Sequence, residues 1–336
     1  MFRLVPLILI VSASSLAAQT HTDPIIDVHL HAAAADDNGP PPMALCAPPA
    51  LYPVLDPRES WAQTFTAWSK KPPCSNPIWG PTTDDSVMTL SLEILKRRNI
   101  FAVTSGALLT RWSSAGGDRI IPALGFSFRA SPPSPDQVRE WFREGKYAVF
   151  AEVSIQYDGV SPSDERFDPY LAVAEQLDVP VGIHIGTGPP GAPYLGTPNY
   201  RARLHSPLLL EDALVRHPKL RVYIMHAGWP MLDDLLALMW TYPQVYIDTG
   251  VISFALPRRE FHRYLQRIVE SGFGKRVMFG SDQMNWPGAI ERAIEAIESA
   301  TFLSAEQKRD ILYNNAARFL RLSDKDIAKH HARSAS

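Results

Sequence analysis

Cysteine is nearly absent from this sequence: two occur in 336 residues, Cys46 and Cys74. A fold held by a disulfide framework is thereby excluded, and the separation of the pair matches no metal-ligand spacing. An excess of charge of one sign is missing too. The 33 Lys and Arg against 35 Asp and Glu leave a net charge of −2, so nothing marks a nucleic-acid or anionic-membrane surface. Beyond the first 20 residues no apolar run is long enough to span a bilayer. A glycine-rich phosphate turn after the first strand, as an open dinucleotide-binding sheet would need, is also lacking.

What is present begins with a distinct leader. Met1–Arg3 give a short basic start, Leu4–Val11 an apolar run broken only by Pro6, and SASSLAAQT a stretch of small residues. This is the layout of a secretory signal peptide over residues 1–19, cleaved around Ala17 to Gln19. Export to a periplasm or the exterior follows. In an oxidising compartment Cys46 and Cys74 can pair, contributing about 3 kcal/mol by loop entropy; two buried free thiols are the alternative.

The rest is long enough for one large barrel or two ordinary domains. After residue 84 it settles into a beat. Apolar β-rich runs fall at 101–105, 119–128, 147–155, 180–185, 221–227, 245–249 and 277–281. Amphipathic stretches fall at 85–98, 135–144, 164–177, 206–216, 231–241, 258–271 and 287–299. With the strand at 25–31 this makes eight strands, and such alternation implies parallel βαβ units. The expected fold is an α/β protein, a closed (β/α)8 TIM barrel over residues 20–323, with a tail at 324–336. Residues 32–83 break the beat. They hold much of the proline (30 in all) together with Trp61, Phe65, Trp68 and Trp79. As a loop leaving the first strand, this insertion emerges at the face where barrel active sites sit. It reads as a lid or pocket wall, with packing on the outer helices as the alternative.

The first strand, IIDVHLH, carries Asp27, His29 and His31 at every second position, which places them on one face, opposite Val28 and Leu30. Three polar groups on a buried strand are costly unless something binds them, and imidazoles suit a divalent metal. The other strands supply companions near their carboxyl ends: Glu152 in FAEVS, His184 in VGIHIG, His226 in YIMHAG and Asp282 in FGSDQ. In a closed barrel all of them converge on one mouth.

These elements, with HPKLRVYIMHAG, VMFGSD and the closing YNNAARFLRL, resemble the amidohydrolase superfamily, specifically its amidohydrolase-related branch (amidohydrolase family 2). The resemblance covers roughly residues 24–321. It implies that His29, His31, His184 and Asp282 ligate a divalent metal, zinc first with manganese or iron as alternatives. Asp282 would also take a proton from the attacking water. His226 would hold a second ion or act on the substrate carbonyl or leaving group. Glu152 sits where binuclear members supply a bridging carboxylate; mononuclear members have no ligand there, and an arginine partner is the alternative. Asp27 either orients a histidine or satisfies backbone groups at the barrel floor.

Arg111, Trp112, Arg129, Gln156 and Tyr157 follow strands and are weaker candidates for substrate binding. The 186–200 loop reads as a shaped wall. His205, His217, His262, His330 and His331 read as solvated. The function expected is a metal-dependent hydrolase of a lactone, ester or amide. A metal-dependent decarboxylase of aromatic or unsaturated acids is the alternative, and a non-catalytic barrel is disfavoured by the intact ligand set. The expected partner is a small-molecule substrate, with self-association left open.

Overall fold

A computed structural model describes residues 23–47, 52–129 and 131–333. The expected leader, Pro48 and Pro49, and the last three residues lie outside the described residues.

Eight parallel strands run β1 (Ile25–His31), β2 (Ile100–Ser105), β3 (Ile120–Pro122), β4 (Phe150–Val153), β5 (Val181–His184), β6 (Val222–Met225), β7 (Val245–Asp248) and β8 (Val277–Met278). The ladder is regular from β1 through β3 and again from β4 through β8. Single bridges, Ala123 with Val149 and Phe126 with Val153, join β3 to β4. The β1–β8 seam is held by main-chain bonds from Val28 N–H to Phe279 O at 2.9 Å and from Asp282 N–H to His29 O at 2.7 Å. Hydrogen bonds therefore run round the whole circle, as a barrel requires.

Several strands are shorter than the sequence suggests. The run at 119–128 is regular only to Pro122, since proline has no N–H to continue a ladder. Alternation along β1 is also broken. Its register with β2 shifts between Asp27 and Leu30, so Val28 packs inside the ring of strands while Leu30 packs outside it. An extra residue in a strand changes which side its successors face, and Val28 and Leu30 do not share a side.

The amphipathic stretches form helices between the strands and the solvent. In Asp84–Arg97 the Thr83 side chain caps the start, Asp84 and Asp85 sit in the first turn, and Lys96 and Arg97 in the last, all favourable to the helix dipole. One helix was not expected: Leu109–Gly116, between β2 and β3. It has no side-chain cap and contains two serines, so local preference for it is weak. Burial of Trp112 on its inner face supports it instead.

Two elements finish the barrel. Tyr313, Ala316 and Phe319 of the closing segment pack into the inner cluster beside Ile26, Val28 and Tyr223. The expected tail is largely helical, Asp324–Ala332. Its His330 ring stacks on Phe101 at 3.5 Å, and Asn99 Nδ2 donates to the carbonyls of His330 and Arg333.

The insertion contains a short ribbon, Ala44–Leu45 with Ile78–Trp79, and the helix Trp61–Lys70. Cys46 and Cys74 are joined in a disulfide with Cα atoms 5.9 Å apart. Trp61 Nε1 donates to Pro190 O at 2.8 Å, and Trp286 Nε1 donates to Met43 O at 3.0 Å. The insertion thus touches the loops that follow β5 and β8, both at the carboxyl face.

Candidate active site

The carboxyl ends of β1, β4, β5, β6 and β8 bring His29, His31, Glu152, His184, His226 and Asp282 together. Glu152 is the hub. Its Oε2 lies 3.7 Å from His29 Nε2 and 3.5 Å from His31 Nε2. Its Oε1 contacts His184 Nδ1 and lies 3.8 Å from His226 Nε2. Asp282 Oδ1 stands 2.9 Å from His31 Nε2 and 3.6 Å from His29 Nε2, and its Oδ2 stands 3.7 Å from His226 Nδ1. His226 Nε2 and His184 Nδ1 are 2.9 Å apart. The donor atoms of His29, His31 and Glu152 fall within 4.8 Å of one another, as do those of Glu152, His184 and His226. No arginine pairs with Glu152 among the described residues.

Electrostatics follow from this crowding. Burial would raise the Glu152 carboxyl, but the His184, His226 and His29 imidazoles outweigh it and hold the group well below the usual range. Asp282 is lowered in the same way: against its burial stand His29, His31 and His226. Burial would lower His29, yet Asp282 and Asp248 raise it well above its ordinary value. His184 is lowered by burial and by neighbouring His226. Burial would lower His226 too, but it is raised by Glu152 and Asp282.

The Glu152 and Asp282 carboxyls are thus ionised, and imidazole nitrogens face them. Two of the site's nitrogens, His29 Nε2 and His184 Nε2, are buried with no hydrogen-bond partner. Buried polar atoms without partners are uncommon and costly. Imidazole and carboxylate donors converging around an orphaned His29 Nε2 fit a divalent cation such as zinc.

Asp248, at the end of β7, is a residue that the sequence reading passed over. It is fully buried. Its Oδ2 accepts from His29 Nδ1 at 3.0 Å, and its Oδ1 accepts the main-chain N–H groups of His226 and Gly250. It therefore fixes the His29 tautomer with Nε2 pointing inward, the arrangement by which ligating histidines are commonly oriented. The same signal that found Glu152 and Asp282, an acid ending a strand, was available in VYIDTG. Gly250 makes the pairing possible, because a Cβ there would lie 2.6 Å from His29 Nδ1. Asp27 takes the role of backbone anchor: its Oδ1 accepts from His29 N–H and Ser281 N–H, tying β1 to β8. Burial pushes its carboxyl up to about 6.

Left-handed backbone clusters here: His226 has φ 62°, Val251 54° and Asp282 51°. Such conformations cost about 1–3 kcal/mol each in non-glycine residues and concentrate at functional sites.

The weaker candidates divide. Tyr157 stands edge-on to His184, ring centroids 4.9 Å apart. Burial, then Glu152 and Tyr200, raise its phenol well above the ordinary range, so it stays protonated. The Arg129 guanidinium lies 5.4 Å from the Tyr157 ring and pairs with Asp158. Gln156 is fully buried with both side-chain polar atoms unpartnered. Arg111 pairs instead with exposed Asp85, and Trp112 is packed in the helical layer.

The histidines read as solvated need correction. His205, His217 and His330 are buried. His217 is held by Asp168 and Glu175, and His262 Nε2 donates to the Ala296 carbonyl at 2.9 Å as part of the fold. Sequence periodicity could not show this, because each ring is covered by a segment remote along the chain.

An amidohydrolase family model matches residues 26–322. The chain belongs to the amidohydrolase family. Among solved structures it is similar to an uncharacterised TIM-barrel protein of Bordetella bronchiseptica, with TM-score 0.60 and 17% identity over 89% of this chain and 98% of that one. It is also similar to a probable 2-pyrone-4,6-dicarboxylic acid hydrolase of Acinetobacter baumannii with citric acid bound, with TM-score 0.55 and 15% identity over 89% and 99%. A third is a 2,6-dihydroxybenzoate decarboxylase in complex with 2,6-dihydroxybenzoate, with TM-score 0.54 and 13% identity over 90% and 100%. At these identities the likenesses show the barrel fold. None of the curated proteins compared with it matches the sequence. This amidohydrolase is thus an enzyme of a family that usually holds a divalent metal, and its donor groups fit one.

Proposed function

We propose that this amidohydrolase is an exported hydrolase that holds two divalent cations and cleaves a lactone, ester or amide with water. The observation that carries the reading is Glu152: one carboxylate oxygen faces His29 and His31, the other His184 and His226. When bound, the cations, zinc before manganese or iron, supply Lewis acidity that lowers the pKa of water toward about 7 and polarises a carbonyl. His29, His31 and Asp282 would hold one cation, His184 and His226 the other, with Glu152 shared.

The chain's own groups do the rest. Asp282 is ionised and accepts the proton of the attacking water, with Oδ1 already on the His31 side and Oδ2 on the His226 side. His226 Nδ1 donates to Gly250 O at 3.0 Å, which keeps Nε2 turned inward. Tyr157, whose ring stands edge-on to His184, keeps its phenol protonated and is a donor suited to a substrate oxygen. The leader at 1–19 and the Cys46–Cys74 disulfide support export, since such bonds persist in oxidising compartments. The insertion, through Trp61 and Met43, serves as the pocket wall.

A second reading, decarboxylation of an aromatic or unsaturated acid, is favoured by Arg129. Its guanidinium sits over Tyr157, one ring away from His184, where it could take a substrate carboxylate. The purified enzyme, incubated with a panel of lactones, esters, amides and aromatic acids, separates the two. Acid release without carbon dioxide supports the hydrolase; carbon dioxide release overturns it in favour of the second reading. Metal analysis runs beside it: the unmutated protein should hold about two ions and Glu152→Gln about one. One ion in the unmutated protein removes the shared-carboxylate arrangement.

A further inference from the structure

The six side chains of the site are not equally covered. His29, His184, His226 and Asp282 expose 9% of their side chains or less, whereas His31 keeps 20% and Glu152 16%. Those two stand on β1 and β4, so the uncovered side of the cluster faces the gap above β2 and β3. The backbone repeats the pattern. Gly186 after β5, Gly228 after β6, Gly250 after β7 and Ser281 after β8 are buried, but Gly106 and Ala107 after β2 and Gly125 after β3 are exposed. The exposed three also line one end of an open cleft of about 680 Å³ beside the helix Leu109–Gly116.

Space is divided the same way. A Cβ on Gly186 would lie 2.8 Å from His226 Cβ, one on Gly250 2.6 Å from His29 Nδ1, and one on Gly280 2.9 Å from His29 Cβ. Those sectors are full. On Gly125 the nearest atoms would be Ser105 Cβ at 3.7 Å, then Glu152 O and Ser105 Oγ at 3.9 Å, which is ordinary contact. Ser105 pairs with His31 in the ladder between β1 and β2, and Val103, two residues earlier, packs in the inner cluster. By strand alternation Ser105 therefore turns inward beside His31. Between His31 and Glu152 the rim is a hydroxyl and small residues, without charge or ring.

We propose that the substrate enters and seats above β2 and β3, between His31 and Glu152. Gly125 sets the width admitted there, and the Ser105 hydroxyl touches the substrate. The group taken up is broad and uncharged: the acyl, alcohol or amine part that flanks the reacting bond. The chemistry rests on the hydrolase reading, but the opening belongs to the chain with or without metal.

The test closes the opening. Gly125 lies outside the left-handed backbone region, so Gly125→Leu should fold and take up zinc like the unmutated protein, as melting and zinc titration check. The first readout needs neither metal nor turnover. The chain's two cysteines are paired, so Ser105→Cys supplies one free thiol behind the opening. Its reaction with methyl methanethiosulfonate, in protein as purified and after chelation, should slow about 10-fold when Gly125→Leu is added. The second readout is turnover on compounds of the bond type that the panel identifies, carrying methyl or phenyl on either side. Gly125→Leu should raise KM about 10–100-fold for the phenyl members and far less for the methyl ones. Ser105→Ala should raise KM about 2–10-fold for both, as loss of one hydrogen bond does. A thiol reaction of unchanged rate, or an unchanged KM ratio between phenyl and methyl members, overturns the proposal. An unchanged KM in Ser105→Ala overturns the Ser105 contact. Should Gly125→Leu not fold, Gly125→Ala decides by the same two comparisons, with smaller effects of the same sign. If no compound of the panel is hydrolysed, the functional reading fails by itself, and the thiol rates still judge the opening.

Discussion

Asp282 is the residue on which the proposed chemistry turns. It is buried, lowered by three histidines, and in contact with His31. Changing it to Asn keeps the shape and one oxygen but removes the proton acceptor. The expected outcome is a folded protein that retains much of its metal through the histidines and Glu152, with turnover reduced at least about 10²-fold, the low end for general acid–base catalysis. Metal content measured beside turnover checks it, and near-normal turnover with full metal would leave Asp282 a ligand without a role as base. The residue scale is also where the sequence was least sufficient. His29, His31, Glu152, His184, His226 and Asp282 could be picked out because each is a donor at a strand's end. Asp248 obeyed the same rule and was missed, because its use is visible only once His29, 219 positions away in the chain, lies 3.0 Å from it.

Among the elements, the insertion and the C-terminal helix offer the cleanest tests. The Cys46–Cys74 bond closes most of the insertion into a loop around the helix that carries Trp61. Both cysteines should resist thiol labelling in native protein and react after reduction, and loss of the bond should cost about 3 kcal/mol in the chain-entropy account. Rapid labelling without reductant would remove the clamp. In the C-terminal helix, burial outweighs the opposing Asp326 and holds the His330 imidazole down to about 4 from an ordinary 6.5. Between those values the unfolded chain binds a proton that the native state refuses. Stability therefore falls as pH drops from about 6.5 to about 4, and this group causes no further loss below that. His330→Phe keeps a ring on Phe101 and should flatten that limb in urea midpoints measured from pH 7 to 4, although it gives up the bond to Tyr313. An equally steep limb in the variant would assign the acid sensitivity elsewhere.

For the molecule as a whole, the site is a stability problem that a ligand solves. Two carboxylates and four histidines sit together with orphaned nitrogens, so on the proposed reading a divalent cation favours the folded chain over the unfolded one. Chelation should lower the melting temperature, and zinc returned at about 1,000 times its dissociation constant should restore about 4 kcal/mol. Identical melting curves with and without chelator would mean that the cluster is satisfied internally.

The sequence by itself determined the strand–helix beat, the single barrel and most of the residues that converge at the carboxyl face, because these are local properties: a period of two or 3.6, and a polar residue where an apolar strand stops. It also marked the insertion, through its broken beat and its prolines. Only the tertiary structure decided which nitrogen of each imidazole turns inward, that Glu152 is shared between two pairs of histidines, that Val28 and Leu30 part company at an irregular register, and that His205, His217 and His330 are buried. Those facts depend on what lies across a closed ring of strands. Hydrogen bonds and burial there join residues from a few tens to more than two hundred positions apart, beyond the few neighbours that a local period relates.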